Sequence, residues 1–164
     1  MSYDGMPVPK GTDSFARSGQ RCTAQVSHSG PVESELKVEA KDKLRRLEKL
    51  FRELRSGWIF VEGKRDRRAL EHLGFTRILT ISGNLRQSCG RLLKEKDQDM
   101  TVFVLTDLDR RGNQLSGLAK AELESCCLRA DITTRKLLGR LLKVRCFEDA
   151  ERGYGELLRE NEKN

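Results

Sequence analysis

The chain has 164 residues, about one domain's worth with an appendage. Hydrophobic residues make up 37% and charged residues 35%, so a core must be concentrated in part of the chain, and it is, mostly after residue 56. A net charge of +7 favours polyanionic partners without specifying one, no apolar run approaches the roughly 20 residues that span a bilayer, and the N-terminus lacks the apolar stretch of a secretory signal. The expectation is a soluble, cytoplasmic protein with no membrane partner.

Residues 1–32 carry Pro7, Pro9 and Pro31 among scattered Gly, Ser and Thr. They show no periodicity and are expected to be a disordered tail. Residues 33–56 read as a highly charged helix in which Leu44, Leu47, Phe51 and Leu54 recur at helical spacing and Leu50 widens the stripe. That stripe is too short for a sustained coiled coil, so the helix is expected to dock onto the domain or onto a protein partner.

Ser56-Gly57 ends this helix, and the domain spans 57–150. Trp58–Val61 reads as a strand, Lys64 to Leu73 as a helix stopped by Gly74, and Arg77 to Ile81 as a second strand closing on Ser82-Gly83-Asn84. A helix from Leu85 to Lys96 comes next, followed by the apolar run Val102 to Leu105. The pattern then predicts a helix over Gln114 to Arg129, amphipathic through Leu115, Leu118, Ala119 and Leu123, a short strand or turn at Asp131-Ile132-Thr133, and a helix over Thr134–Leu142. Residues 151–164 are left as a helical or flexible tail. Strands alternating with helices predict an α/β fold with a parallel sheet and right-handed crossovers.

The chemistry gathers where apolar runs stop at acids. Val102–Leu105 ends in Asp107-Leu108-Asp109, with Gly112 just beyond, and Trp58–Val61 ends in Glu62-Gly63-Lys64. Open α/β folds place ligands at the carboxyl edge of the sheet, so one acidic cluster is expected there. Strand alternation would put Asp107 and Asp109 on one side with Leu108 turned away. Clustered carboxylates repel unless a cation lies between them, and hard oxygen ligands favour Mg2+, with Mn2+ a substitute. Lys64, Arg65, Arg67 and Arg68 follow the glutamate, Arg86 follows Asn84, and Arg110 and Arg111 follow the aspartates. Acids ringed by Lys and Arg suit a site that holds metal and nucleic acid phosphate together. Ser82, Gly83 and Asn84 are expected to line the same edge, and Gly63 and Gly112 to let backbone approach phosphate or metal.

Ile59–Leu70 (IFVEGKRDRRAL) and Val104–Leu115 (VLTDLDRRGNQL) together resemble the Toprim domain of topoisomerases, bacterial primases, repair proteins and small nucleases. The likeness is nearest to small stand-alone Toprim proteins of archaea and bacteria and to the nuclease that matures 5S ribosomal RNA. It implies a Toprim, Rossmann-like fold with about four mainly parallel strands. It also implies that Glu62 acts as general acid or base and joins Asp107 and Asp109 at magnesium. Arg140–Glu151 resembles the tail of small Toprim proteins, with an acidic segment at Glu148-Asp149. Topoisomerases use a tyrosine in a separate domain, whereas Tyr3 and Tyr154 have implausible contexts, and the modules of primases are missing. The family's frequent third acid is replaced by Arg111, which argues for a single metal. The resemblance therefore implies Mg-dependent phosphodiester hydrolysis in RNA processing. The alternative is a non-catalytic, metal-holding nucleic-acid module of a larger complex.

Other motifs are excluded by position. An EF-hand reading of Asp107–Leu118 has Arg111 fifth and Leu118 twelfth, where a ligand and glutamate are required. Neither a P-loop nor a dinucleotide fingerprint is present. The five cysteines form no CxxC pair and read as packed free thiols, and neither His28 nor His72 has a catalytic partner in the sequence. Aromatics are 5%, with no interleaved stacking platform.

Overall fold

The computed structural model describes residues 33–82, 84–94 and 100–163. The expectations for residues 1–32 and for Gly83 lie outside them, and the helix expected to run to Lys96 ends at Leu92, with Leu93 and Lys94 in a turn. Four parallel strands, β1 (Trp58–Val61), β2 (Ile78–Thr80), β3 (Thr101–Leu105) and β4 (Arg129–Asp131), form one sheet in the order β2-β1-β3-β4. The helices are α1 (Glu33–Ser56), α2 (Lys64–His72), α3 (Leu85–Leu92), α4 (Arg110–Ser125), α5 (Thr134–Leu142) and α6 (Ala150–Lys163), the last preceded by a 3₁₀ turn at Phe147–Asp149. This is the α/β arrangement with a parallel sheet that the alternating pattern predicts, Rossmann-like as the resemblance implies, with a helical N-terminal extension.

Side-chain alternation along the strands builds a core on each face of the sheet. Ile59, Val61, Ile78, Phe103 and Leu105 join one cluster with residues of α1, α2, α5 and α6. Phe60, Val102 and Val104 join the other with Cys89 and Leu92 of α3 and Ala119 and Leu123 of α4. The α1 stripe docks on the domain itself: Leu47 and Leu54 are fully buried, with Leu50 and Phe51 nearly so. That stripe is therefore occupied within the fold, and the exposed described residues of α1 are mostly charged or polar, with Val38 an apolar exception. On the far side of the same layer, Ala150 and Leu157 of α6 are buried in this cluster, so the C-terminal helix is part of the core.

Both boundaries of α4 differ from the sequence reading. Helix α4 begins at Arg110 rather than Gln114, because Asp109 caps it: the Gly112 N–H donates to Asp109 Oδ1. It ends at Ser125 rather than running to Arg129. Cys127 turns the chain with a φ of 59°, and Arg129–Asp131 becomes the edge strand β4. Helix α5 has the expected limits.

Candidate active site

Neighbouring parallel strands deliver the two acidic motifs to one edge. Val61 of β1 pairs in register with Leu105 of β3, so the chain leaves both strands side by side at their carboxyl ends. There the Asp107 N–H donates to Glu62 Oε1 at 3.1 Å, joining motifs 45 residues apart. The strand stops at Leu105, and Asp107 and Asp109 lie in the loop after it instead of alternating along it. Each aspartate consequently has its own partner. Asp107 Oδ1 accepts from the Phe147 N–H at 3.0 Å, while Asp109 Oδ1 caps α4. Leu108 turns inward against Gly139, where a Cβ would collide with the leucine side chain.

Gly112 has a different task from the one its position suggests. A Cβ there would strike the Asp107 backbone, so the glycine allows α4 to press against the aspartate loop rather than against a ligand. Thr106 fastens the same contact, its Oγ1 donating to the Gly112 carbonyl at 2.8 Å. Gly63 forms the entry to α2, where its N–H donates to Asp66 Oδ2 at 2.9 Å.

Two charged residues unmarked in the sequence analysis complete the cluster. Asp66 is 6% exposed. Its pKa is pushed up to about 6, chiefly by burial and further by Asp107, Glu62 and Glu148. The available signal was its place at the third position of a helix after a glycine, where an acid returns to bond the cap N–H. Arg135, on α5, is 2% exposed and lies beneath the aspartate loop. Its Nη1 donates to the Thr106 carbonyl (3.1 Å), Thr106 Oγ1 (2.9 Å) and the Asp107 carbonyl (2.7 Å), and its Nη2 to Asn113 Oδ1. Its signal was a lone cation on the apolar stripe of α5, three, four and seven positions before Leu138, Gly139 and Leu142, all buried.

Electrostatics follow from this packing. Burial raises the Glu62 pKa above the ordinary glutamate value, Asp107 and Asp109 raise it further, and the Asp107 N–H and Arg111 oppose the rise. Arg135, desolvated, is favoured in its charged form by Glu62, Asp109 and Asp107. Burial also raises the Cys146 thiol to about 11, aided by the negative charge of nearby Asp107.

The expected phosphate-binding residues divide into two sets. Lys64, Arg110 and Arg111 are exposed at the first turns of α2 and α4 and form no ion pair among the described residues. Both helix N-termini face this edge, adding partial positive charge. Arg65 instead reaches Glu148 at 3.5 Å, and Arg86 reaches Glu122 at 3.5 Å. Ser82 is held beside β1, its N–H donating to the Glu62 carbonyl at 3.0 Å. Asn84 is committed to capping α3, its Oδ1 accepting from the Gln87 N–H at 3.0 Å. Gly83 lies outside the described residues.

No family model matches the chain. A UPF0292 protein of Thermococcus sibiricus is 35% identical to it, over 70% of this chain and 90% of that one. The chain belongs to the UPF0292 family. A UPF0292 protein of Pyrococcus horikoshii is 33% identical over 66% of this chain and 76% of its own. The solved structure of an Aquifex aeolicus protein, 25% identical, aligns with a TM-score of 0.50 over 73% of this chain and 99% of that one.

In this UPF0292 chain the donor chemistry can be weighed against a metal. Among the described residues, no group of three or more His, Cys, Asp and Glu side chains is placed to hold an ion by itself. The carboxylates of Glu62, Asp107 and Asp109 each commit one oxygen to a backbone N–H, which leaves the second oxygen of each for a cation or its waters. Such a set does not suit zinc or a calcium cage. It fits magnesium, which takes one or two carboxylates and keeps waters and substrate phosphate oxygens as its remaining ligands.

Proposed function

We propose that this chain is a Toprim-type, Mg-dependent phosphodiester hydrolase acting on nucleic acid, RNA in preference to DNA, in ribosomal or other RNA processing. The observation that carries the reading is the hydrogen bond from the Asp107 N–H to Glu62 Oε1, which makes one site of the two motifs that resemble the family. Asp107 and Asp109 would hold Mg2+, with Mn2+ a substitute. When bound, the metal neutralises phosphate charge and acidifies coordinated water.

The chain's own residues supply the rest. Lys64, Arg110, Arg111 and the N-termini of α2 and α4 hold a phosphate against the acids. Glu62, its pKa raised by burial and by its neighbours, retains a proton at higher pH than an ordinary glutamate. It gives that proton to the leaving ribose oxygen as a water oxygen bonds to phosphorus and the P–O ester bond breaks, and it takes up the proton that the attacking water releases. Arg135 keeps the aspartate loop in place from below and offsets the charge of three carboxylates. A cytoplasmic setting suits this role: the four described cysteines are free thiols, as a reducing compartment maintains. No helix among the described residues is long and apolar enough to cross a membrane.

The test is cleavage of labelled structured RNAs and of single- and double-stranded DNAs, with and without Mg2+ or Mn2+. Wild type is compared with Asp107→Ala/Asp109→Ala and with Glu62→Gln. The expected outcome is metal-dependent RNA cleavage, lost in the double variant and reduced at least about a hundredfold in Glu62→Gln with binding retained. Salt-sensitive binding equal in all three proteins, with no products, would establish the non-catalytic binding module instead.

A further inference from the structure

A cavity of about 280 Å³ opens beside Glu62. One wall is a single face of α4, where Arg111, Gln114, Leu115 and Leu118 follow at helical intervals. The other side holds Ser82 and the end of β2, where Ile81 is 3% exposed. Leu115 leans on the core beneath α4, but Leu118 is 64% exposed and belongs to neither core cluster. The sequence reading counted Leu118 with the buried face of its helix, and the structure turns it out to the rim of this cavity.

A single exposed leucine is ordinary. This one completes an apolar surface next to the acid assigned to proton transfer and next to an arginine with no ion pair among the described residues. We propose that the cavity receives one unpaired nucleobase of the substrate, from the nucleotide adjoining the phosphodiester at Glu62. The inference rests on the hydrolase reading and adds to it a substrate class: single-stranded segments, loops or ends.

The chemistry of the walls matches the occupant. A base has two apolar faces and a polar edge. Leu115, Leu118 and the guanidinium plane of Arg111, all on the α4 wall, can cover one face, with the Ile81 side of the cavity against the other and the Gln114 amide and the Ser82 hydroxyl available to the edge. The volume lies just below the roughly 300–1,000 Å³ of small-molecule sites, so it suits one base and not a base pair. A base within a duplex would have to be extruded first, at an energetic cost that an unpaired base avoids.

The experiment follows the amide resonances of the full chain during titration with adenosine 5′-monophosphate, ribose 5-phosphate and inorganic phosphate. Wild type is compared with Leu118→Glu and Leu118→Phe; position 118 is exposed, so both should fold, and circular dichroism checks this. The nucleotide is expected to bind at least about fivefold more tightly than ribose 5-phosphate, as base stacking requires, and to shift resonances of residues 111–118. Leu118→Glu should abolish that difference and Leu118→Phe preserve it. Equal binding of the three probes, or nucleotide affinity unchanged in Leu118→Glu, overturns the proposal. Cleavage is scored separately on a hairpin RNA with a single-stranded tail. Base-dependent binding without cleavage upholds the pocket and removes the hydrolase. Cleavage with no preference for the tail, together with equal probe binding, removes the pocket and leaves the hydrolase standing.

Discussion

Replacing Arg135 by methionine tests the physical argument for the site most directly. The arginine is 2% exposed, and methionine fills much the same volume without charge or donors. The substitution strands the Thr106 and Asp107 carbonyls and Asn113 Oδ1, all of which accept from the guanidinium. It also removes the cation that offsets Glu62, Asp107 and Asp109. Replacing both partners of a buried ion pair with apolar groups is often neutral, but removing only one costs about 3–5 kcal/mol. With a slope near 2 kcal/mol per molar urea, that lowers the unfolding midpoint by roughly 2 M. The loss should also depend on pH. As pH rises, Glu62 ionises in the folded state at a pH raised by burial, and without Arg135 that charge is less compensated. The stability deficit of Arg135→Met should therefore be larger at pH 8 than at pH 5. The assay is urea denaturation at both pH values, with Arg135→Lys as an intermediate case that keeps charge but not the forked geometry. A midpoint change under roughly 0.5 M, or a gain in stability, would refute the account of Arg135 as the support of the aspartate loop. An equal deficit at both pH values would leave the hydrogen bonds as the explanation and reject the electrostatic part.

Asp66 gives a prediction of opposite sign. Its folded pKa of about 6 exceeds the ordinary 3.8, so the native state binds the extra proton between those values and stability falls as pH rises through that window. Asp66→Asn keeps an acceptor for the Gly63 N–H and removes the charge, so it should stabilise the protein at pH 8 by up to about 3 kcal/mol. The gain should shrink towards pH 4 in thermal melts, and a variant less stable than wild type at pH 8 would contradict the reading. Gly112→Ala should cost about 3 kcal/mol or more, because the added methyl meets the Asp107 backbone. Its control is Gly90→Ala, within α3, where a Cβ meets nothing within 4 Å and the helix should gain about 0.5–1 kcal/mol. Calorimetry of the pair checks both, and equal melting temperatures would show that the close approach at Gly112 is not tight.

The legible parts of the chain were those in which local pattern and tertiary role coincide. Short apolar runs stopped by acids marked β1 and β3, because a buried parallel strand is apolar on both faces until it reaches the sheet edge. The start of α4 was obscured by Asp109, which is both a member of the acidic motif and a helix cap. Gly112 then read as a loop residue although it lies in the first turn of that helix. The end of α4 carried no glycine signal, since Cys127 takes the left-handed conformation itself. Asp66 and Arg135 were harder, because a buried charge is recognised by the partners that surround it, and those partners come from the turn after β1, the aspartate loop, α4 and the turn before α6. Exposure of Leu118 likewise depends on where α4 lies against the sheet, which helical periodicity alone does not specify.

The bond from Phe147 to Asp107 also has a consequence for the order in which the molecule is made. A carboxylate of the first acidic pair is fixed by an amide 40 residues downstream, and the helix after that amide packs beneath α1. During synthesis, the amide that fixes Asp107 is added after both acidic motifs, since Phe147 lies 40 residues further along the chain. A nascent chain that has reached Arg145 would carry the acids without their final arrangement. A cut between Lys143 and Cys146 would likewise leave the hold on Asp107 dependent on a segment no longer joined to α5.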